Sequence, residues 1–421
     1  MKTTSIRLLP KHRVSSLSRN QSIARSMLFK LLRGLKQGCL RIHEQGELYR
    51  FGQLADHTDL VADIYVHDAQ LYSDVIFGGS VGAGEAYMSG YWSTPNLTQV
   101  TRLFVRNIDA LDAMDSKQSL VGQYLLKVFH WFNRNTKEGS RKNISAHYDL
   151  GNDFFRLFLD STMMYSAAIY PTPQATLAEA SVYKLQRVCE KLQLNSNDHL
   201  LEIGTGWGGM AIYAAQHYGC RVTTTTISRE QHDYAVEKVA EAGLSDRVTV
   251  LFDDYRDLRG QFSKLVSIEM IEAVGHEHYD QYFSTCSRLL APNGLMLLQA
   301  ITIADQRYDM ARKTVDFIQR YIFPGGSLPS IAVISDVAKR KTDMNIVHIE
   351  DIGEHYAQTL KHWRDAFHKK LEAVRAQGFD ERFIRMWEFY LCYCEGGFIE
   401  RSIGTAQVLL AKPQYRNGYF Q

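Results

Sequence analysis

Apolar and polar positions change rhythm along the chain, and the changes mark out its parts. Short apolar runs recur at about 199–203, 221–226, 248–252, 264–269 and 294–301, with apolar residues at helical spacing between the first few. Strands alternating with helices predict an α/β protein built on a doubly wound, mostly parallel sheet. Ahead of this run, Thr176-x-x-Glu179 has the form of a capping box, and Val182, Leu185, Val188, Cys189 and Leu192 follow at the spacing of an inward helix face. Residues 44–132 read differently. Short apolar runs, the turn-rich "FGGSVGAGEAYMSGYW" and helical periodicity from Leu97 to Phe132 predict a smaller N-terminal α+β domain. The polar stretch "NRNTKEGSRKN", residues 133–143, suits a linker, which leaves 144–421 for the larger domain. Within residues 1–43, Ile23, Met27, Leu28, Leu31, Leu32 and Leu35 fall on one side of a helix and Arg25, Lys30, Arg33 and Lys36 largely on the other.

Charge and composition sharpen this picture in a few places. Net charge over the 421 residues is only +2, yet ten Lys or Arg and no acid precede Glu44. A basic amphipathic segment of this kind fits a helix lying on an anionic membrane surface. It equally fits a helix packed on its own domain, and an Arg- and Ser-rich start also resembles an organelle transit peptide. Six cysteines without a C-x-x-C pair point to a reduced, cytoplasmic compartment. The most apolar run, Leu289–Ala304, is broken by Pro292, Asn293, Gly294 and Gln299, short of the roughly 20 apolar residues a span needs. Any membrane contact is therefore expected to be peripheral. No basic groove interleaved with aromatics argues for nucleic acid. His276 and His278 lie two apart without a convincing third ligand, so no metal is expected and a polar helix start is the better reading.

The chemistry concentrates in "LLEIGTGWGG". Gly204, Gly206 and Gly209 satisfy G-x-G-x-x-G between a strand and a helix, where missing Cβ atoms let a ligand approach the backbone. A dinucleotide site would place an acid at the end of the next strand to hold a ribose. That strand ends "TTTTIS", and Ser228-x-x-Gln231 looks like the cap of the following helix. The acid instead precedes the glycines, as Glu202, and a carboxylate there suits a ligand carrying positive charge. S-adenosylmethionine, with its amine and sulfonium and no phosphate, meets that requirement better than a pyrophosphate.

Seven blocks follow one another in an order that resembles the cyclopropane-fatty-acid synthase family, which includes the mycolic acid cyclopropane synthases and methyltransferases. They are "NISAHYDLGNDFFRLFLDSTMMYS", "LLEIGTGWGG", "TTTTISREQ", "DDYRDL", "IEMIEAVGHEHYDQYF", "RYIFPGGSLPS" and "EHYAQTLKHW"; "GSVGAGEAYMSGYW" also resembles the N-terminal domain of the phospholipid-modifying members. The resemblance implies an S-adenosylmethionine methyltransferase fold and alkylation of a cis double bond in an unsaturated phospholipid acyl chain, at the membrane surface. Carried onto this sequence, the donor site comprises Tyr165, Ser166, Glu202, Gly204, Thr205, Gly206, Trp207, Gly208, Thr226, Ile227, Ser228 and Gln231, with Tyr255 near the adenine. For Gln231, a ribose contact and an exposed helix-capping role stand side by side. Aromatic faces that steady a carbocation would come from Tyr165, Tyr279, Tyr321 and Tyr356. The resemblance also admits a homodimer.

The same resemblance implies a bicarbonate base held by Glu272, the Ile301 backbone and Tyr356, together with a cysteine and a histidine. Ala167 and Gln299 stand at those last two positions, which puts the ion in doubt. Gln299 would hold it with one hydrogen bond, or Glu272, raised in pKa by an apolar pocket, would take the proton instead. The product follows suit: a cyclopropane if the new methyl loses the proton, a methyl- or methylene-branched chain otherwise. A nicotinamide or flavin enzyme and a non-catalytic lipid-surface protein are the competing readings; the intact Glu202, Gly204, Gly206, Glu272 and Tyr356 speak against the second.

Overall fold

A computed structural model describes residues 17–53, 60–108 and 150–416. The first 16 residues, the 133–143 stretch and the helical pattern from 109 to 132 lie outside them. The described chain falls into two compact units.

The first unit takes in the N-terminal residues up to 108 together with Thr314–Ile322 and Leu360–Ser402. Its sheet has the order β2-β1-β3-β4, formed by β1 (Gly38–Glu44), β2 (Glu47–Gln53), β3 (Val61–Val66) and β4 (Trp92–Ser93). The expected boundary at residue 43 falls inside β1. The basic helix Arg19–Leu32 opens with a full capping box at Ser18 and Gln21, and it buries Ala24, Phe29 and Leu32 within its own unit. Its Arg25 bridges to Glu44 at 2.7 Å and lies over the Phe29 ring, so a cation placed on the solvent side by periodicity is half-buried. Ile23, counted on the apolar side, is 53% exposed.

The sequence boundaries also gave all of 144–421 to the larger domain. The helix Glu381–Ile399 and the short helix Phe317–Tyr321 instead complete the small one. Phe317 and Phe389 meet at 4.5 Å between ring centroids, and the ring of Phe317 lies so close to Gly84 that a Cβ there would sit at 2.4 Å. The buried Arg385 donates to the carbonyls of Tyr87 and Trp92. The Arg385 contacts span 298 and 293 residues of sequence, beyond the reach of any local pattern.

The second unit is built on a seven-stranded sheet of order β10-β11-β9-β8-β5-β6-β7. Its strands are β5 (His199–Ile203), β6 (Arg221–Thr225), β7 (Val248–Leu251), β8 (Phe262–Ile268), β9 (Leu290–Ile303), β10 (Asn345–Asp351) and β11 (Ile403–Ala411). Each neighbouring pair from β9 to β7 is parallel, and β11 runs antiparallel to both β9 and β10. The doubly wound, mostly parallel sheet expected from the alternation is therefore present, with one reversed strand. Apolar residues fill both faces: Leu201, Leu265, Met296 and Leu298 on one side, Leu200, Val222, Val266 and Leu297 on the other. Burial on both faces explains the near-continuous apolar runs. Strand order reverses direction between β5 and β8, which opens a crevice at their carboxyl ends, where ligands bind in such sheets.

The helix Leu177–Lys191 has the capping box read from Thr176 and Glu179. Its inward face differs from expectation in one place: Val182 is 40% exposed, whereas Lys184 is fully buried.

Candidate functional site

The turn after β5 is shaped by glycine. Gly204, Gly206 and Gly208 have φ of 101°, 53° and 88°, in the left-handed region that side chains disfavour. A Cβ on Gly209 would lie 2.6 Å from the Thr162 carbonyl oxygen. The amides of Gly204 and Thr205 donate to the Thr225 carbonyl at 3.1 Å, and that of Gly208 donates to Thr205. Much of the turn's donor capacity is thus spent internally, which a pyrophosphate cradle does not afford.

Glu202 is buried beneath this turn. Thr224 donates to its Oε2 at 2.6 Å and shares a hydrogen bond with Thr205 at 2.7 Å. Burial pushes the Glu202 carboxyl up to about 8, against the Thr224 hydrogen bond and the charge of Lys184. A cationic ligand would restore the ionised form. At the end of β6, Thr226 donates to Gln231 Oε1 at 2.9 Å while Ser228 Oγ accepts from the Gln231 amide. Ser228 caps the helix Arg229–Glu241 as expected, but the Gln231 side chain turns inward and is buried, so the exposed alternative does not hold. Ile227 lies between these two polar contacts in sequence.

An aromatic wall stands beside the turn. The Phe155 ring packs against Tyr165 at 5.2 Å and Trp207 at 5.0 Å, and Trp207 donates to Asn152 Oδ1. Tyr255 packs edge-on against Tyr282 at 5.6 Å, and Tyr279 donates to the Ser327 carbonyl. Tyr321 belongs to the first unit, where its hydroxyl donates to Glu85.

The five residues assigned to the base are drawn together, and a sixth that the sequence reading missed sits at their centre. Glu269 follows β8 with φ of 50°, a left-handed conformation uncommon for a side-chain-bearing residue. Its Oε1 accepts from the Ala167 amide at 2.9 Å and Gln299 Nε2 at 2.8 Å, and its Oε2 accepts from the Tyr356 hydroxyl at 2.8 Å. Gln299 cannot turn its amide over freely, because its Oε1 accepts from Gln407 Nε2 at 2.9 Å, and Gln407 in turn accepts from Lys191. Glu272 accepts from the Ile301 amide through Oε1, and its buried Oε2 has no hydrogen-bond partner.

Electrostatics separate the two carboxylates. Burial pushes Glu272 up to about 8, and the charge of Glu269 adds to that shift. Burial raises Glu269 too, but Gln299, the Ala167 amide, Tyr356 and Lys184 all oppose the rise. Near neutral pH Glu272 keeps its proton, while the donors around Glu269 favour its ionised form against burial. Lys184, whose Nζ donates to Ser166 Oγ at 2.9 Å, is the buried counter-charge; burial lowers its pKa to about 8, and Glu269, Asp160 and Glu202 hold it up. Periodicity could not find Lys184, and an unusual acid after a strand, as at Glu269, was the one signal available for the other.

Bicarbonate does not fit this arrangement. The donors that would hold it, from Ala167, Gln299, Tyr356 and Ile301, already serve Glu269 and Glu272. A further anion beside two buried carboxylates is electrostatically unfavourable.

A reversed strand in an otherwise parallel sheet, with a glycine turn at the switch point between β5 and β8, is the architecture expected of an S-adenosylmethionine-dependent methyltransferase. Residues 135–408 match the model of the mycolic acid cyclopropane synthetase family, and the chain belongs to that family. It is 40% identical over 338 residues to tuberculostearic acid methyltransferase UfaA1 of Mycobacterium tuberculosis, covering 76% of each chain. It is 37% identical over 371 residues to the cyclopropane-fatty-acyl-phospholipid synthase of Escherichia coli K12, covering 87% of this chain and 92% of that one. Among solved structures it is similar to mycolic acid cyclopropane synthase CmaA1 complexed with SAH and CTAB, with a TM-score of 0.60 and 33% identity over 65% of this chain and 98% of that one. The protein is an S-adenosylmethionine-dependent lipid methyltransferase of the cyclopropane synthase kind.

Proposed function

We propose that the enzyme transfers a one-carbon unit from S-adenosylmethionine to the cis double bond of an unsaturated phospholipid acyl chain, giving a cyclopropane fatty acid. The observation that carries this reading is the pairing of the glycine turn with two buried carboxyl groups held by different donors, Glu269 and Glu272. S-adenosylmethionine supplies an electrophilic methyl group. The chain's residues must then stabilise a cation and remove a proton. Tyr165, backed by Phe155 and Phe158, offers aromatic faces to the first task. The second needs a base in a water-poor site, where an unpaired charge is expensive. The relative from Escherichia coli, named a cyclopropane-fatty-acyl-phospholipid synthase, supports phospholipid as the substrate. Among the described residues no helix is long and apolar enough to cross a membrane, which is compatible with work at the bilayer surface.

A second reading rests on Ala167 and Gln299: the same transfer ending in a methyl- or methylene-branched chain. One experiment separates them. Purified protein is incubated with vesicles of unsaturated phospholipid and S-adenosylmethionine bearing a fully deuterated methyl group, and the fatty acids are analysed by mass spectrometry and NMR. Loss of one methyl deuteron with ring signals is expected. Retention of all three, or an exocyclic methylene, would establish the branched product, and no label in any lipid would refute the proposal.

A further inference from the structure

We infer that Glu269 supplies, from within the chain, the carboxylate base of this reaction, and that the enzyme therefore works without bicarbonate. The inference rests on the alkyl transfer proposed above.

Four features of the site carry it. The Glu269 carboxylate is held at three of the five positions that the family resemblance assigns to the ion, by the Ala167 backbone amide at 2.9 Å, the Gln299 side-chain amide at 2.8 Å and the Tyr356 hydroxyl at 2.8 Å. A carboxylate and a bicarbonate present the same planar pair of oxygens, so three donors arranged for one accept the other. The two departures at this site also fit together. A cysteine or histidine side chain at 167 or 299 would compete with the Glu269 side chain for space and donors, whereas Ala167 leaves room and Gln299 is held by Gln407 with its amide donating to Glu269 and to the Ala167 carbonyl. Finally, Glu269 is held in the left-handed region at φ 50°, a strained conformation of the sort kept where surrounding contacts enforce it.

The geometry also says which oxygen reacts. Oε1 receives two donors and Oε2 one, so an open lone pair remains on Oε2. In the first step the alkene's π electrons form a carbon–carbon bond to the methyl as its carbon–sulfur bond breaks, leaving a neutral thioether and a cationic acyl chain. In the second, a C–H bond of the new methyl breaks and its electron pair bonds to the cationic carbon to close the ring, or a C–H bond on a carbon beside the cation breaks and its pair forms a double bond; in either case the proton passes to Glu269 Oε2. Glu269 ends as a neutral carboxylic acid and releases the proton to solvent between turnovers. Glu272 acts as a positioning residue: its buried, unpartnered Oε2 and its retained proton keep a second negative charge away from Glu269.

The test compares full-length wild type, Glu269→Gln and Glu269→Gly in carbon-dioxide-scrubbed buffer, with and without added bicarbonate, using the deuterated donor and unsaturated vesicles. Calorimetric titration with S-adenosylmethionine establishes that each variant is folded. Wild type is expected to change by less than about twofold on adding bicarbonate, because its base is internal. Carbon-13 NMR of labelled bicarbonate is expected to show no line broadening with wild type and clear broadening with Glu269→Gly. Glu269→Gln, which fills the site without a basic oxygen, should fall by about 100-fold under both conditions. Glu269→Gly, which vacates the donors, should fall similarly in scrubbed buffer and recover at least about tenfold with bicarbonate. A wild-type rate that depends on bicarbonate, or a Glu269→Gln enzyme as fast as wild type, would overturn the inference. Those results still require labelled lipid; its complete absence from wild type under every condition would instead refute the transfer itself.

Discussion

At the scale of single residues, the site is governed by burial of charge. Lys184, Glu202, Glu269 and Glu272 are each removed from water, and each is displaced from its ordinary pKa by that removal before any partner acts. The consequence for stability has a definite sign. Glu272 titrates near 4.5 when exposed and near 8 in the fold, so the folded state binds more protons between those values. Stability contributed by keeping this group neutral is therefore lost as pH rises from about 4.5 through 8. Glu272→Gln, which cannot ionise and still offers an oxygen to the Ile301 amide, is expected to melt above wild type at pH 8.5, by a margin that shrinks toward pH 5. Thermal melts across that range check it; a margin independent of pH would contradict the assignment. Such groups are hard to read from sequence because Lys184 and Glu269 resemble ordinary surface residues until the packing around them is known.

Elements set the stage for those residues through their ends. The helix Leu177–Lys191 begins at a capping box, and its fixed start places Lys184 on the face that meets Ser166. Thr176→Ala should cost about 1 kcal/mol by chemical denaturation. The glycine turn makes a sharper demand. Gly206 has φ of 53° with no atom within 4 Å of a Cβ position, whereas Gly209 has ordinary φ but a carbonyl oxygen 2.6 Å away. Gly206→Ala should therefore cost about 1–2 kcal/mol, from backbone conformation alone. Gly209→Ala must displace the Thr162 segment, at about 1–3 kcal/mol, and should also weaken S-adenosylmethionine binding. Denaturation and calorimetric titration of the two variants separate strain from collision. Both glycines were visible in the sequence as a motif; which of them is tight and which is merely left-handed was not.

For the whole molecule, the partition of the chain is the main departure from a linear reading. The small unit draws on three separated stretches, and its buried polar contacts join them: Thr98 donates to Glu395 at 3.0 Å, and Arg364 donates to Thr98 at 2.6 Å and pairs with Glu395. A fragment of residues 1–131 lacks Phe317, Arg364, Arg385, Phe389 and Glu395, so it is expected to show no cooperative unfolding transition by scanning calorimetry. Sharp two-state melting of that fragment would show that the N-terminal residues suffice. By itself the sequence determined the alternation of strands and helices, the switch-point turn, the Thr176 cap and the departures at Ala167 and Gln299, because each is written in local periodicity or a short motif. Tertiary structure alone decided that Lys184 points inward and Val182 outward, that Gln231 folds onto Thr226, and that C-terminal helices complete the N-terminal unit. It also decided that Glu269 accepts from the Ala167 amide and the Tyr356 hydroxyl. The reason is physical: these outcomes depend on which distant groups share a low-dielectric space, and hydrogen bonding and desolvation there outweigh the preferences that neighbouring residues impose.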